Sequence, residues 1–334
     1  MSGAAFAGDY RFFGAYRLLL AWLVLTSHSN HYLPDWIGPL ALGNVGVFSF
    51  FALSGFVIAE ACDRFYAGKP HRFLVNRLLR IYPTYWVTGL VALAIYLALG
   101  HAELHLDALS VAANLSILYN PPGTFFWISL IWAVGIELRF YFVAALIEAA
   151  RMFVTGRALL VYATAWLAAL ALYGLTVASD YQRLATFRHA PYFMFGMALY
   201  HAVACRSRAG ALAAVAALPF AVHSYWVYNA AGPTDLLPST LLFVAMLALM
   251  LAASFVTVSE RTARIDKALG DFIYPLYLVH LPVVWLVGRL LPGAGPERYA
   301  AVAAGSALAS ALVLLLEQPI TRLRDRVRGK RLYA

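Results

Sequence analysis

The first long apolar segment of the chain contains two ionisable side chains, Arg17 and His28. They lie eleven residues apart, so a helix places both on one face, about three turns and roughly 16 Å apart along its axis. Ionisable groups inside a membrane span are costly and indicate a functional site by default. The structural alternatives are an anchor at the membrane surface for Arg17 and a polar contact between helices for His28.

Two arginines at helical spacing occur in the most basic loop of the chain, 62–83. Arg77 and Arg80 are spaced i, i+3 and therefore share a helical face. A guanidinium binds phosphate through a planar fork, so this pair together with Arg17 is suited to hold a nucleotide diphosphate at the membrane surface. Alternatively, the two arginines serve only as the positive charge that keeps a loop in the cytoplasm.

Polar residues also interrupt three later apolar segments. Glu137 is expected near the middle of a span, facing the interior of the helix bundle, and Arg139 follows two residues later on a different face. His280 lies between two prolines in 272–284, and prolines are tolerated where a helix packs or lines a cavity. Glu317 is expected at the cytoplasmic rim, where pairing with a basic neighbour explains it as well as a functional role does.

Apolar stretches long enough to cross a membrane recur along the chain. With 63% hydrophobic and 12% charged residues, the chain has too few polar groups to cover the surface of a soluble domain. The predicted spans are 14–33, 40–61, 81–100, 124–148, 158–178, 187–205, 209–229, 236–258, 268–292 and 298–318. Most Lys and Arg residues then fall in cytoplasmic segments if both termini are cytoplasmic.

The sequence therefore predicts an all-α integral membrane protein. It is expected to form one polytopic bundle of about ten transmembrane helices, a single domain over 1–334 with a basic cytoplasmic tail at 320–334. The net charge of +9 is explained by basic residues that fix the orientation of the helices in the membrane. Membrane lipids are therefore the expected surroundings, and nucleic-acid binding is not expected. No metal is expected, because His28 and His31 have ligand-like spacing but no identifiable third ligand.

Seven short motifs resemble, in order along the chain, those of the acyltransferase-3 family of bacterial integral-membrane acyltransferases. They are Arg17–His28 as Arg-x10-His, GVFSFFALSGFVI (46–58), FLVNRLLRIYPTYW (73–86), WAVGIELRFYF (132–142), PYFMFGM (191–197), YPLYLVHLPV (274–283) and EQP (317–319). Two positions depart from the family pattern. Ala133 stands where serine is common, and Arg139 stands where an uncharged polar residue is usual.

The resemblance implies a multi-pass protein of the bacterial inner membrane that transfers an acyl group, most often acetyl. The donor is cytoplasmic acyl-CoA, a substrate rather than a permanently bound cofactor, and the acceptor is a hydroxyl of a cell-surface, exported or lipid-linked glycan. Polysaccharide-synthesis machinery is an implied partner. A secondary metabolite or a lipid is the alternative acceptor, and a transporter or flippase without chemistry is the alternative class of protein.

Roles follow for the polar residues if this resemblance holds. A sugar hydroxyl attacks a thioester poorly unless it loses its proton, and imidazole, with an ordinary pKa of about 6.5, suits the general base, so His28 is assigned that role. Glu137 is expected to orient the imidazole, and His280 is expected near the thioester. The expected donor site consists of Arg17, Arg77 and Arg80 on the CoA phosphates, with Arg139 adding positive charge and Glu317 nearby.

Two features of this mechanism stay open at the level of sequence. An acyl-enzyme on Ser54 is conceivable, although Ser54 and Gly55 are typical of a close contact between helices, which favours direct transfer. The oxyanion donor is not identifiable. For the acceptor, Trp36, Tyr119 and Trp127 are candidates to stack on sugar rings, and an aromatic belt at the membrane interface explains them equally well.

Overall fold

The computed structural model of the chain describes residues 12–118, 123–149, 188–256, 258–293 and 295–327. Within these ranges the secondary structure is helical and contains no strand. The α-helices are α1 (Phe13–His28), α2 (Leu42–Arg64), α3 (Pro70–Leu99), α4 (Ala108–Ser116), α5 (Ile131–Ala149), α6 (Ala190–Val203), α7 (Arg208–Asn229), α8 (Leu236–Phe255), α9 (Glu260–Leu290) and α10 (Pro296–Val327). Two short 3-10 helices, Asn30–Tyr32 and Asp35–Leu40, connect α1 to α2.

These helices confirm the all-α prediction and overlap nine of the predicted spans. The predicted span 158–178 lies outside the described residues, and the nine-residue helix α4 was not predicted. Within the described residues, six segments are long and apolar enough to cross a membrane: Asp35–Arg64, Pro70–Leu99, Arg208–Asn229, Leu236–Phe255, Glu260–Leu290 and Pro296–Val327. The total of about ten spans and the cytoplasmic position of both termini stay predictions.

Helices α1 and α9 pack side by side in a constant register. At one end, the backbone N–H groups of Gly14 and Ala15 donate to the two carboxylate oxygens of Asp266, at 2.6 and 2.7 Å. Fourteen residues further along both helices, His280 Nε2 lies 3.2 Å from His28 Nδ1. Gly14 and Asp266 are 252 residues apart in sequence, and so are His28 and His280. The helices therefore run parallel, with contacts that repeat at two heptads as in a coiled coil.

Asp266 holds the start of α1 against α9. Its carboxylate caps N–H groups at the start of α1 that have no partner within the helix, and its negative charge complements the helix dipole. The approach is close enough that a Cβ atom at Gly14 would lie 1.8 Å from the Asp266 carbonyl oxygen. Ala21 and Ile273, midway between the two contacts, belong to one hydrophobic cluster. Parallel packing agrees with the predicted map, in which spans one and nine cross in the same direction.

Helix α2 lies at the centre of the bundle, in contact with α1, α3, α5, α6 and α8. Its approach to α6 depends on two glycines. A Cβ atom at Gly55 would lie 2.0 Å from the carbonyl oxygen of Phe193, and one at Gly196 would lie 1.8 Å from that of Ala52. Small residues at such crossings allow two backbones to touch inside a membrane. This geometry confirms the predicted helix contact at Gly55 and turns the neighbouring Ser54 toward α5.

Candidate active site

A cavity of about 780 Å³, including the part of it that is open to solvent, lies between α1, α2, α3, α5 and α9. Its wall is largely aliphatic and aromatic, as is usual for a pocket that holds a small molecule. The polar groups in this wall are Arg17, Ser54, Arg77, Arg80, Glu137, Tyr141, Tyr274 and Tyr277. Five of the nine site residues named from the sequence, contributed by four helices, therefore share one cavity.

Three guanidinium groups make one part of this cavity positively charged. Arg17 comes from α1, and its Nη1 lies near the backbone of Gly270 on α9. Arg77 on α3 is only 6% exposed, and its guanidinium carbon lies 5.2 and 5.4 Å from the ring centres of Phe73 and Tyr141. Stacking on aromatic rings fixes the plane of a guanidinium. The cavity thus presents oriented donors that suit a phosphate.

Glu137 belongs to the same part of the cavity as these arginines. It accepts hydrogen bonds from Ser54 Oγ at 2.9 Å and from Tyr141 Oη at 2.5 Å, and its negative charge stabilises the positive charge of Arg80. From the sequence, Glu137 is expected to orient His28. The structure instead places it between a serine and a tyrosine, as a counter-charge in the cationic part of the cavity.

His28 and His280 form a pair whose hydrogen bonds determine which nitrogen carries the proton. His28 Nδ1 lies 2.9 Å from the Val24 carbonyl oxygen and 3.2 Å from His280 Nε2. A carbonyl can only accept, so Nδ1 of His28 carries the proton and Nε2 of the neutral ring keeps its lone pair. His280 Nδ1, 3.3 Å from the Leu276 carbonyl oxygen, is protonated for the same reason. The contact that orients His28 therefore comes from His280.

Tyr277 connects the cavity to this histidine pair. It lines the cavity, and its ring centre lies 6.1 Å from that of His280, one helical turn further along α9. Its hydroxyl is buried and has no hydrogen-bond partner among the described residues. Tyr277 is not among the site residues predicted from the sequence, although the segment YPLYLVH places it three residues before His280 and hence on the same face of a helix.

The remaining site predictions fall outside the cavity wall. Arg139 Nη2 donates to the Leu118 carbonyl oxygen at 3.4 Å, beyond the end of α4. The expectation that Arg139 adds charge to the donor site is therefore not supported by its position. Glu317 lies on α10, and the charges of Arg80 and Arg324 act on its carboxylate. Its Oε1 is buried without a hydrogen-bond partner in the described part of the chain.

Of the three aromatic residues proposed to stack on sugar rings, the two that the structure describes differ in their exposure. Trp36 is 68% exposed, whereas Trp127 is 5% exposed and is held by the helix core. A buried ring has no face available for a ligand, so Trp127 is an incorrect choice. Tyr119 lies outside the described residues. Among the residues that the structure covers, no group of three His, Cys, Asp or Glu side chains is arranged to hold a metal ion.

Comparison with known proteins places the chain among the acyltransferases. The sequence model of the acyltransferase-3 family, described as an acyltransferase domain, matches residues 11–316. The exopolysaccharide production protein ExoZ of Rhizobium meliloti (strain 1021) is 27% identical over 315 residues, which cover 86% of this chain and 92% of that protein. No solved structure matches the chain significantly. Since the family match spans most of its length and includes the cavity, this protein belongs to the acyltransferase-3 family.

Proposed function

We propose that this protein transfers an acyl group, acetyl in the first instance, from cytoplasmic acyl-CoA to a hydroxyl of a cell-surface or exported polysaccharide. The observation that carries the proposal is a cavity lined by three arginines and by Tyr277, whose ring lies next to His280 of a histidine pair with an available lone pair. Membership of the acyltransferase-3 family supports acyl transfer. The relative named for exopolysaccharide production supports a polysaccharide acceptor.

In this proposal the cationic part of the cavity binds the nucleotide end of the donor. Arg17, Arg77 and Arg80 hold the diphosphate of acyl-CoA through charge-assisted hydrogen bonds. The predicted topology places them toward the cytoplasm, where acyl-CoA is found. The pantetheine arm then extends along the face of α9 that carries Tyr274 and Tyr277, so that the thioester reaches the histidine pair roughly 16 Å further along α1.

His28 acts as the general base at the thioester. As the acceptor oxygen attacks the carbonyl carbon, its proton passes to His28 Nε2 and a C–O bond forms, giving a tetrahedral oxyanion. The oxyanion collapses, the C–S bond breaks, and the CoA sulfur leaves with the proton returned by His28. His280 accepts from His28 Nδ1–H, which keeps Nε2 directed at the acceptor and stabilises the imidazolium that forms.

Tyr277 is assigned as the donor to the oxyanion. Its hydroxyl is buried and without a partner among the described residues, and its ring lies next to His280. A donor that is unpaired before the reaction needs no rearrangement when negative charge develops in front of it. Direct transfer is preferred to an acyl-enzyme on Ser54, because Ser54 contacts Glu137 in the cationic part of the cavity, where the phosphates rather than the thioester are proposed to bind.

Labelled acetyl-CoA supplied to inverted membrane vesicles that contain the protein tests this proposal. Label in the polysaccharide fraction is the expected result, absent from vesicles that carry the His28→Ala variant. Label in the lipid fraction would instead identify a lipid acceptor. If acetyl-CoA, succinyl-CoA and longer acyl-CoAs are neither bound nor consumed, the protein is not an acyl-CoA-dependent enzyme and a transport function takes its place.

A further inference from the structure

The last turns of α10 add a fourth arginine to the cationic end of the bundle. Asn76 Nδ2, on α3, donates to the backbone carbonyl oxygen of Arg324 at 3.0 Å. This bond holds the end of α10 beside the start of α3, one residue before Arg77. The charges of Arg77 and Arg80 both act on the Arg324 side chain. Arg324 thus lies beside the phosphate site proposed above, although it does not line the cavity itself.

The environment of Arg324 differs from that of the other basic residues nearby. Arg322 and Arg326 on the same helix are exposed, whereas Arg324 is half-buried. It lies two turns from Glu317 and on the same face of α10. Its Nε is buried and has no hydrogen-bond partner in the part of the chain that the structure describes, and the same is true of Glu317 Oε1. The arginine is therefore turned inward without a complete set of partners.

The charges around Arg324 leave an excess of positive charge. Of the carboxylates that act on it, Asp271 already pairs with Lys267 at 3.1 Å, which leaves Glu317. Neighbouring guanidiniums repel one another, and a buried donor without a partner is costly. A bound anion removes both costs at once. The arrangement therefore favours a phosphate at Arg324 in addition to the one at Arg77 and Arg80.

We propose that Arg324 binds the 3′-phosphate of CoA, an inference that rests on the proposed acyl-CoA donor. The order of groups along the ligand is thioester, pantetheine, diphosphate and then the ribose 3′-phosphate. The matching order along the protein is the histidine pair, Tyr277, the cavity arginines and then Arg324 at the level of Asn76. A phosphomonoester carries nearly two negative charges at neutral pH and suits a guanidinium with unused donors. Arg324 thus makes the donor site selective for CoA over its dephosphorylated form.

Binding of CoA and of 3′-dephospho-CoA to the purified protein in nanodiscs, at one fixed salt concentration, tests this proposal. The wild type is expected to bind CoA more tightly by about 10- to 100-fold, the value of one charge-assisted hydrogen-bonded pair. Arg324→Gln is expected to abolish the difference by weakening the binding of CoA alone. Arg326→Gln is the matched control, with the same loss of charge on an exposed side chain of the same helix, and is expected to preserve the difference.

Three results would overturn the proposal. One is a wild type that binds both nucleotides equally, which needs no variant and so does not depend on folding. Another is an Arg324→Gln variant that binds both nucleotides more weakly to the same extent, although its thermal unfolding shows that it is folded. The third is an Arg326→Gln control that loses the discrimination as fully as Arg324→Gln, since the effect would then follow from the loss of any positive charge on α10. Failure of the wild type to bind either nucleotide would instead overturn the proposed acyl-CoA donor.

Discussion

A methyl group added at Gly14 tests whether the register between α1 and α9 positions the histidine pair. In the Gly14→Ala variant the new Cβ atom would lie 1.8 Å from the carbonyl oxygen of Asp266. Real Cβ atoms essentially never approach other heavy atoms closer than 3.0 Å. The neighbouring atom is backbone in a helix, so side-chain rotation cannot relieve the clash. The two helices must move apart by about 1.2 Å, from 1.8 to at least 3.0 Å.

This movement reaches His28 because α1 is one continuous helix. His28 Nδ1 and His280 Nε2 are 3.2 Å apart, already near the long limit of a hydrogen bond. A displacement of about 1 Å at a reacting group costs on the order of 100-fold in rate. We expect kcat for acetyl-CoA turnover to fall about 100-fold. KM for acetyl-CoA should rise by a smaller factor than kcat falls, because Arg17 moves with α1 whereas the other two donor-site arginines, Arg77 and Arg80, lie on α3.

Release of the CoA thiol by the purified protein in nanodiscs measures both constants. Gly89→Ala is the matched control: it also adds a methyl group to a helical glycine, but its Cβ atom would lie 3.6 Å from Trp127, an ordinary contact. Its activity is expected to be normal. A folded Gly14→Ala variant with normal kcat would refute the account of how His28 is positioned, and a raised KM with unchanged kcat would show that the displacement acts on Arg17 and not on His28.

Three further substitutions separate the roles assigned around the cavity. Tyr277→Phe removes the oxyanion donor, so kcat for acetyl-CoA should fall about 10²- to 10³-fold with KM unchanged; an unchanged kcat contradicts the assignment. Ser54→Ala should keep near-normal turnover, because transfer is direct, and loss of all turnover would restore the acyl-serine route. Arg77→Gln should weaken CoA binding by about 10- to 100-fold in calorimetry, whereas Arg139→Gln should not, and equal losses would argue against this donor site.

The site residues that could be predicted from the sequence are charged residues inside apolar segments, because the energetic cost of such a charge is visible within one segment. Arg17, Arg77 and Glu137 interrupt apolar segments, and a charge inside a membrane must face the bundle interior wherever the helices lie. Their convergence in one cavity follows from that constraint. Their depth and partners do not follow, since Glu137 contacts Ser54 and Tyr141 rather than His28. A pattern within one helix fixes a face, but the level of a residue relative to another helix depends on packing.

The residues that the sequence missed act through contacts between distant segments. In the sequence, Asp266 resembles an ordinary acidic residue of a basic segment that is predicted to be cytoplasmic, and its bonds to the start of α1 span 252 and 251 residues. Arg324 is one of several arginines that occur at every second position near the end of α10, and the sequence does not show which of them faces the helix bundle. Tyr277 is one of 20 tyrosines, a residue type common in membrane proteins, and what sets it apart is a hydroxyl without a partner among the described residues together with a place in the cavity wall beside His280.

The most direct test of the central claim is the His28→Ala variant, studied by CoA binding and by acetyl-CoA turnover on the same purified sample. General-base catalysis contributes about 10²- to 10⁴-fold, so turnover should fall by that factor. CoA affinity should remain that of the wild type, because the phosphates bind roughly 16 Å away along α1. Loss of binding together with turnover would place His28 in the donor site. Turnover close to that of the wild type would contradict the claim that His28 is the base.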